Sequence, residues 1–331
     1  MKRDQVVMIT GASAGLGRAI AHGFARQGAK IGLIARNREA LEACGEEVEQ
    51  MGGAALVLPL DVSDAAPIEL AASRLEEAFG PIDVWVNNAM TSVFSPVKQM
   101  TAEEFKRVTE VAYLGYVYGT QAALRRMLPR DRGTIVQVSS AMAAGSIPLQ
   151  SAYCAAKHAV IGFTESLRAE LLHDKSNVQL TVVQMPAMNT VHFTWVKNRL
   201  RDKPQPVPPI LRPEVAAKAV VRAANADRPC REYWVGPPAV EPIVRQMFIF
   251  GRPDRDMGET GYRALQSGVP DDPNRPNNLW DYVPGRHSAQ GPFDRKSCSF
   301  SPQVFLDLHR KWLAAGGAAL VAAMVVAYKR K

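Results

Sequence analysis

The chain reads Thr10-Gly11-Ala12-Ser13-Ala14-Gly15-Leu16-Gly17 directly after the apolar run Val6-Val7-Met8-Ile9. The β-branched run predicts a strand, and the spacing of Leu16, Ile20 and Phe24 predicts a helix behind the glycines. Glycines between a strand and a helix let the backbone turn tightly and approach a pyrophosphate, which the helix N-terminus attracts. A plain strand-to-helix loop is the alternative. The stretch therefore favours a dinucleotide-binding unit.

Outward from this unit, short β-branched runs alternate with longer helical patterns as far as residue 236. This alternation predicts a doubly wound α/β domain, a Rossmann fold, with helices on both faces of a parallel seven-stranded sheet. We assign this catalytic domain to residues 1–238. The predicted strands are Val6–Thr10, Ile31–Ala35, Ala55–Leu60, Ile82–Asn87, Thr134–Ser139, Gln179–Gln184 and Glu232–Val235.

Residues 239–300 break the pattern, because Pro, Gly, Asp and Arg dominate there. We expect an irregular extension whose apolar anchors, Trp280, Tyr282 and Phe293, pack on the main domain. Residues 301–331 form a separate C-terminal segment.

The stretch from Trp312 to Tyr328 contains no charged residue and lies between two basic clusters. Its 17 residues span about 26 Å as a helix, slightly less than a bilayer core of about 30 Å. We expect a terminal apolar helix that attaches the protein to a membrane, and a helix docked on the protein or on a dimer partner is the alternative. Residues 1–10 show no cleavable signal, so the catalytic domain is expected in the cytoplasm.

Composition excludes several other classes of function. The formal net charge is +8, but the basic residues are dispersed and no nucleic-acid-binding signature accompanies them. The four cysteines, Cys44, Cys154, Cys230 and Cys298, are far apart and have no neighbouring histidines at metal-ligand spacing. We expect neither a nucleic-acid partner nor a bound metal.

Tyr153 and Lys157 are four residues apart at the start of a helical run, so their side chains share one face. A nearby ammonium lowers the pKa of a phenol from its usual value of about 10 towards neutrality. Ser139 and Ser140 end the fifth predicted strand. Exposed Tyr–Lys pairs and serines at strand ends are common, so each signal is weak when taken alone.

Together these motifs resemble the short-chain dehydrogenase/reductase family over residues 5–236. The glycine stretch matches T-G-x-x-x-G-x-G, Asp61-Val62 and Asn87-Asn88-Ala89 match two later marks, and Tyr153 to Lys157 matches Y-x-x-x-K. The resemblance implies hydride transfer between nicotinamide C4 and a carbonyl or alcohol carbon, with Ser140, Tyr153 and Lys157 as catalytic residues. The spacing in the family selects Ser140 over Ser139. The cofactor-binding residues that it implies are Gly11, Ser13, Ala14, Gly15, Leu16, Gly17, Arg36, Asp61, Val62, Asn88, Ala89, Tyr153, Lys157, Pro186 and Thr190.

The second predicted strand ends in Ala35-Arg36-Asn37-Arg38, without the carboxylate that holds the ribose 2′-hydroxyl in NAD-preferring relatives. Arg36 offers a planar, permanently charged fork that suits a 2′-phosphate. The stretch therefore favours NADP(H), and a solvated arginine at a helix start is the alternative.

Three positions depart from the family pattern. Met90 stands where N-N-A-G has glycine, and Ala187 follows Pro186 where the family has glycine. Ala112 stands where many relatives have an asparagine. In the family the main-chain carbonyl of that asparagine holds a water that leads to the lysine as part of a proton relay. Alanine keeps this contact only if the helix bends here as it does in the family. A catalytically inactive nucleotide-binding protein of the same fold is the alternative function.

The loop from Met188 to Pro209 carries aromatic and aliphatic residues, which favour an apolar small-molecule substrate. His192 lies among these residues, and we assign it no catalytic role, because a lone histidine among aromatic residues is more often a packing or hydrogen-bonding residue. In the family, the helices that carry Gly115, Gly119 and Gly162 commonly form a dimer interface, so the resemblance also implies a homodimer.

Overall fold

The computed structural model describes residues 4–226, 230–236 and 257–309. The stretch Trp312 to Tyr328, for which a membrane helix is predicted, lies outside these residues. Within the described ranges, no helix is both long enough and apolar enough to cross a bilayer.

The central sheet has seven parallel strands, which are β1 Val6–Thr10, β2 Lys30–Ala35, β3 Ala54–Pro59, β4 Val84–Asn87, β5 Thr134–Ser140, β6 Gln179–Met185 and β7 Glu232–Trp234. Their order in the sheet is β7-β6-β5-β4-β1-β2-β3. The predicted doubly wound fold is therefore confirmed, with strand ends that differ from the prediction by at most two residues.

Helices cover both faces of this sheet, and a π-helical turn, Glu110–Leu114, connects two of them. They are α1 Gly15–Ala25, α2 Arg38–Gln50, α3 Ala65–Phe79, α4 Ala102–Thr109, α5 Gly115–Met127, α6 Ser151–His173, α7 His192–Trp195, α8 Pro213–Ala224 and α9 Tyr262–Ala264. Strand β1 alternates between two buried clusters: Val7 and Ile9 pack with α1 and α8, whereas Val6 and Met8 pack with α3. Burial on both faces explains why this strand is a continuous apolar run.

The extension returns to the main domain through short strand pairs. Ile210–Leu211 pairs with Ser297–Cys298, Asp202–Pro204 pairs with Gln266–Pro270, and Val93–Phe94 pairs with Lys197–Asn198 in the preceding loops.

The predicted apolar anchors of the extension are only partly correct. Phe293 packs edge-on against Phe193, with ring centroids 5.7 Å apart. Trp280 and Tyr282 are 52% and 51% exposed, whereas the neighbouring Leu279 is buried. Leu279 is therefore an apolar anchor of this stretch that the sequence did not predict.

The glycines on α5 have an intrachain role. A Cβ on Gly115 would lie 2.9 Å from Val62 Cγ2, and a Cβ on Gly119 would lie 2.3 Å from Asn87 Oδ1. Both glycines therefore admit neighbouring elements of the same subunit, and they are not evidence for a dimer. Gly162, on α6, faces open space instead.

Candidate active site

The glycine-rich loop lies at the carboxyl edge of the sheet, where the chain order reverses between β1 and β4. Gly11 has a positive φ of 69°, and a Cβ on Gly17 would lie 2.1 Å from the Gly11 carbonyl oxygen. Only glycine fits either position. Ala14 precedes α1 and provides no side-chain cap, and the Gly15 N–H donates to the Ser288 carbonyl at 3.0 Å. Leu16 and Gly17, in the first turn of α1, line the cavity at the helix end that attracts an anion.

The motif Asn87-Asn88-Ala89 ties this loop to β4. The Asn88 side-chain amide donates to the carbonyls of Thr10 and Gly11 at 2.9 and 3.3 Å. The main-chain N–H groups of Asn88 and Ala89 donate to Thr10 Oγ1. Two adjacent strand ends are thereby fixed as one wall of the cavity.

Ser140 and Tyr153 meet at the end of β5, where α6 begins. Ser140 Oγ accepts from the Met142 N–H at 3.2 Å. Burial raises the pKa of Tyr153, and a hydrogen bond with Ser140 offsets part of that rise. The sequence predicted a lowered pKa, whereas the loss of solvation shifts the pKa of this buried phenol upward.

Lys157, which the Y-x-x-x-K spacing predicts, is buried beneath Tyr153. Its Nζ donates to Tyr116 Oη at 2.8 Å and to the Val138 carbonyl at 2.9 Å. Burial lowers the pKa of Lys157 to about 7. Tyr116 also donates its hydroxyl proton to the Val138 carbonyl at 2.8 Å. Tyr116 is thus a close partner of Lys157 that no motif predicted.

The helix bend that the sequence required around Ala112 is present as the π-helical turn Glu110–Leu114. Tyr116 lies four residues beyond Ala112, about one helical turn along the same face. The position of Tyr116, one turn beyond Ala112, is the only signal for it in the sequence.

Arg36 and Asp61 lie at the opposite end of the cavity. Arg36 donates through Nη1 to the Trp280 carbonyl at 2.6 Å and through Nη2 to the Asn278 carbonyl at 2.5 Å. Asp61 is 3.9 Å from Arg36 and pairs more closely with Arg107. Hydrogen bonds from Ser63 and Arg107 lower the pKa of Asp61 despite its burial. We name residues 278–288, which cross this end, the C-terminal strap.

One cavity of about 970 Å³ contains every predicted catalytic and cofactor-binding residue. Beyond Tyr153 its lining is largely apolar, and Met90 and Ala187, two of the departures from the family pattern, line it as well. His192 also faces this cavity, and burial together with the charge of Arg275 lowers its pKa to about 4. The apolar lining includes Phe94, Met142, Ile147, Met188, Val191, Phe193, Val207 and Leu265.

No cluster of metal-ligating side chains occurs among residues 4–226, 230–236 and 257–309.

Comparison with known proteins identifies the family. Residues 5–200 match the model for short chain dehydrogenases. The chain is 32% identical over 288 residues to the uncharacterised oxidoreductase YxnA of Bacillus subtilis, a match covering 86% of this chain and 80% of that protein. It is 32% identical over 223 residues to the fatty acyl-CoA reductase of Acinetobacter baylyi, covering 67% of this chain and 73% of that one. Some other relatives are matched over only 51% to 60% of their length.

Among solved structures, the alcohol dehydrogenase of the archaeon Thermococcus sibiricus, complexed with 5-hydroxy-NADP, superposes with a TM-score of 0.62. It is 28% identical in sequence, and the match covers 70% of this chain and 96% of that chain.

Proposed function

The chain belongs to the short-chain dehydrogenase family, and from this premise we propose that it is an NADP(H)-dependent oxidoreductase acting on a carbonyl or alcohol carbon of an apolar small molecule. The observation that carries the proposal is the presence of Ser140, Tyr153 and Lys157 in one cavity with the glycine-rich loop. A protein that binds a nucleotide without catalysis needs the loop but has no need of these three side chains together.

The cavity fits a nicotinamide dinucleotide. Its phosphate end is formed by Gly11 and Gly17, at neither of which a Cβ fits, and by the first turn of α1, which has no side-chain cap. A bound nicotinamide ring supplies or accepts the hydride. Lys157 and Thr190 are the residues we expect at the ribose and the carboxamide beside that ring.

The side chains of this site supply the proton and hold the substrate. Ser140, whose Oγ accepts from the Met142 N–H, donates its hydroxyl proton to the substrate oxygen when substrate binds beside Tyr153. Tyr153 gives its proton to the developing alkoxide during reduction, and the raised pKa of its buried phenol keeps that proton in place at neutral pH. Tyr116 and the Val138 carbonyl hold the ammonium of Lys157 beneath Tyr153, where its charge stabilises the phenolate as it forms.

Arg36 supports a preference for NADP(H) over NAD(H). Its partners on the strap are neutral carbonyls, and its nearest carboxylate, Asp61, pairs more closely with Arg107. The guanidinium therefore retains a charge that attracts a 2′-phosphate.

The apolar lining beyond Tyr153 supports a hydrophobic substrate, and one relative carries the name fatty acyl-CoA reductase. The decisive experiment measures NADPH oxidation with a panel of aldehydes, ketones, sterols and quinones of graded chain length. We expect turnover that rises with the apolar surface of the carbonyl compound. Binding of NADPH without turnover of any member of the panel would favour the inactive alternative.

We also propose that residues 312–328 attach the enzyme to a membrane, with the catalytic domain in the cytoplasm. The protein is expected in the membrane fraction, resistant to high salt and released by detergent. A variant ending at Leu308 is expected to be soluble and active. Recovery of the whole chain as a monodisperse soluble protein without detergent would overturn this anchor.

The proposed homodimer places the open face of α6 around Gly162 against its copy. Gly162→Arg should convert a dimer into a monomer in light scattering. An unchanged mass for this variant would argue against that face.

A further inference from the structure

Backbone carbonyls provide most of the hydrogen bonds that hold the C-terminal strap, and an ion pair between Arg286 and Glu46 adds to them. Eight of its eleven residues accept hydrogen bonds from the elements around the glycine-rich loop, β2 and α4. The acceptors are the carbonyls of Asn278, Leu279, Trp280, Val283, Gly285, Arg286, His287 and Ser288.

The donors to these carbonyls surround the end of the cavity where Arg36 lies. Asn37 donates through Nδ2 to Val283 and Gly285 at 2.9 and 3.0 Å. Arg18, only 2% exposed, donates to Arg286 at 2.6 Å and to His287 at 3.1 Å, while its other nitrogens pair with Glu47. Buried and charge-assisted bonds of this kind fix the path of the strap.

The inner side of the strap lines the cavity through Asn278, Tyr282, Val283 and His287. The two ends of the strap also contact the loop from Met188 to Pro209, which lines the substrate side of the cavity. The Asn278 N–H donates to the Trp195 carbonyl at 3.0 Å, and the His287 ring lies edge-on to Trp195 with centroids 4.5 Å apart. The strap therefore bridges the cavity from the end that holds Arg36 to the loop that contains Trp195.

We propose that the C-terminal strap is part of the cofactor site and forms the outer wall against the adenosine 2′-phosphate half of the dinucleotide. This inference rests on one part of the proposed function, the binding of a nicotinamide dinucleotide. The strap holds Arg36 by both terminal nitrogens and so fixes where the guanidinium meets the 2′-phosphate. Release of the dinucleotide requires the contacts of the strap to open.

Two variants loosen the strap without touching the reacting residues. Asn37→Ser removes both amide donors to the strap but keeps an oxygen that can cap α2, as Asn37 Oδ1 does now. His287→Asn removes the ring that packs on Trp195, and asparagine tolerates the positive φ of 52° at this position. His173→Asn, on an exposed histidine at the end of α6, is the matched control.

The experiment measures NADPH dissociation by stopped-flow displacement, together with the KM for reduced nicotinamide mononucleotide, which lacks the adenosine half. We expect each strap variant to release NADPH about tenfold faster, while the KM for the mononucleotide stays unchanged. His173→Asn should leave both values unchanged.

Absence of NADPH binding to the unmodified protein would refute the proposed function itself. Unchanged dissociation of NADPH from both strap variants would overturn the strap proposal alone. An equal effect on NADPH and on the mononucleotide would also overturn it, because the variants would then disturb the whole site.

Discussion

The two ends of the cavity are built in different ways. At the end that holds Tyr153 and Lys157, side chains of particular chemistry converge on one point, and they lie on sheet and helix elements. At the end that holds Arg36, main-chain carbonyls of the C-terminal strap complete the wall. Every residue has a carbonyl, whereas only a few residue types have an acidic proton. The reaction is thus specified by residue identity, and the enclosure is specified by the path of the chain.

Tyr153→Phe, at the reactive end of the cavity, should have the largest effect on activity. It removes the proton donor but leaves the ring, so kcat for carbonyl reduction should fall by about 10²- to 10⁴-fold while NADPH affinity stays near normal. Lys157→Ala should lower both the kcat for carbonyl reduction and the affinity for NADPH. Steady-state kinetics and fluorescence titration separate these outcomes, and a Tyr153→Phe enzyme with near-normal kcat would refute the mechanism.

Arg36→Asp tests the end enclosed by the strap, where Arg36 presents a charged side chain to the cavity. A carboxylate repels the 2′-phosphate, so NADPH affinity should fall by about tenfold to a hundredfold and the preference over NADH should reverse or disappear. Arg38→Asp is the matched control, because Arg38 is 66% exposed and pairs with Glu42. Equal affinity of the unmodified protein for both cofactors would contradict the assignment.

Tyr116→Phe should produce the smallest and most specific change. Without the hydroxyl acceptor, the ammonium of Lys157 loses one of its two oxygen partners, so the pKa of Lys157 falls below about 7. The ammonium is then lost at lower pH, and the alkaline limb of the kcat/KM profile for reduction should move down by about one unit.

Stability should change little in this variant, because the Val138 carbonyl keeps its bond from Lys157. Tyr118→Phe, two residues along α5, is the control for the pH profile. An unmoved alkaline limb in Tyr116→Phe would mean that Tyr116 has only a packing role.

The fold and the reactive end follow from the sequence for physical reasons. Burial on both faces makes strand β1 uniformly apolar, and the close approach of Gly17 to Gly11 permits no other residue. Tyr116 was missed because none of the matched motifs includes it, and its bond with Lys157 depends on how α5 and α6 pack. The contacts of Gly115 and Gly119 with Val62 and Asn87 could not be predicted, because the spacing of two glycines on a helix does not indicate which element approaches them. The strap was missed because its bonds involve carbonyls, which leave no pattern in the residue types.

The bond between Arg18 and the strap also constrains the order of folding. Arg18 and His287 are 269 positions apart, so the first βαβ unit cannot complete its hydrogen bonding until most of the polypeptide has been synthesised. Contacts of such large sequence separation form late, because a long loop must close before they stabilise anything. The nascent sheet would thus form with its nucleotide groove still open, and the groove would close in one of the last steps of maturation.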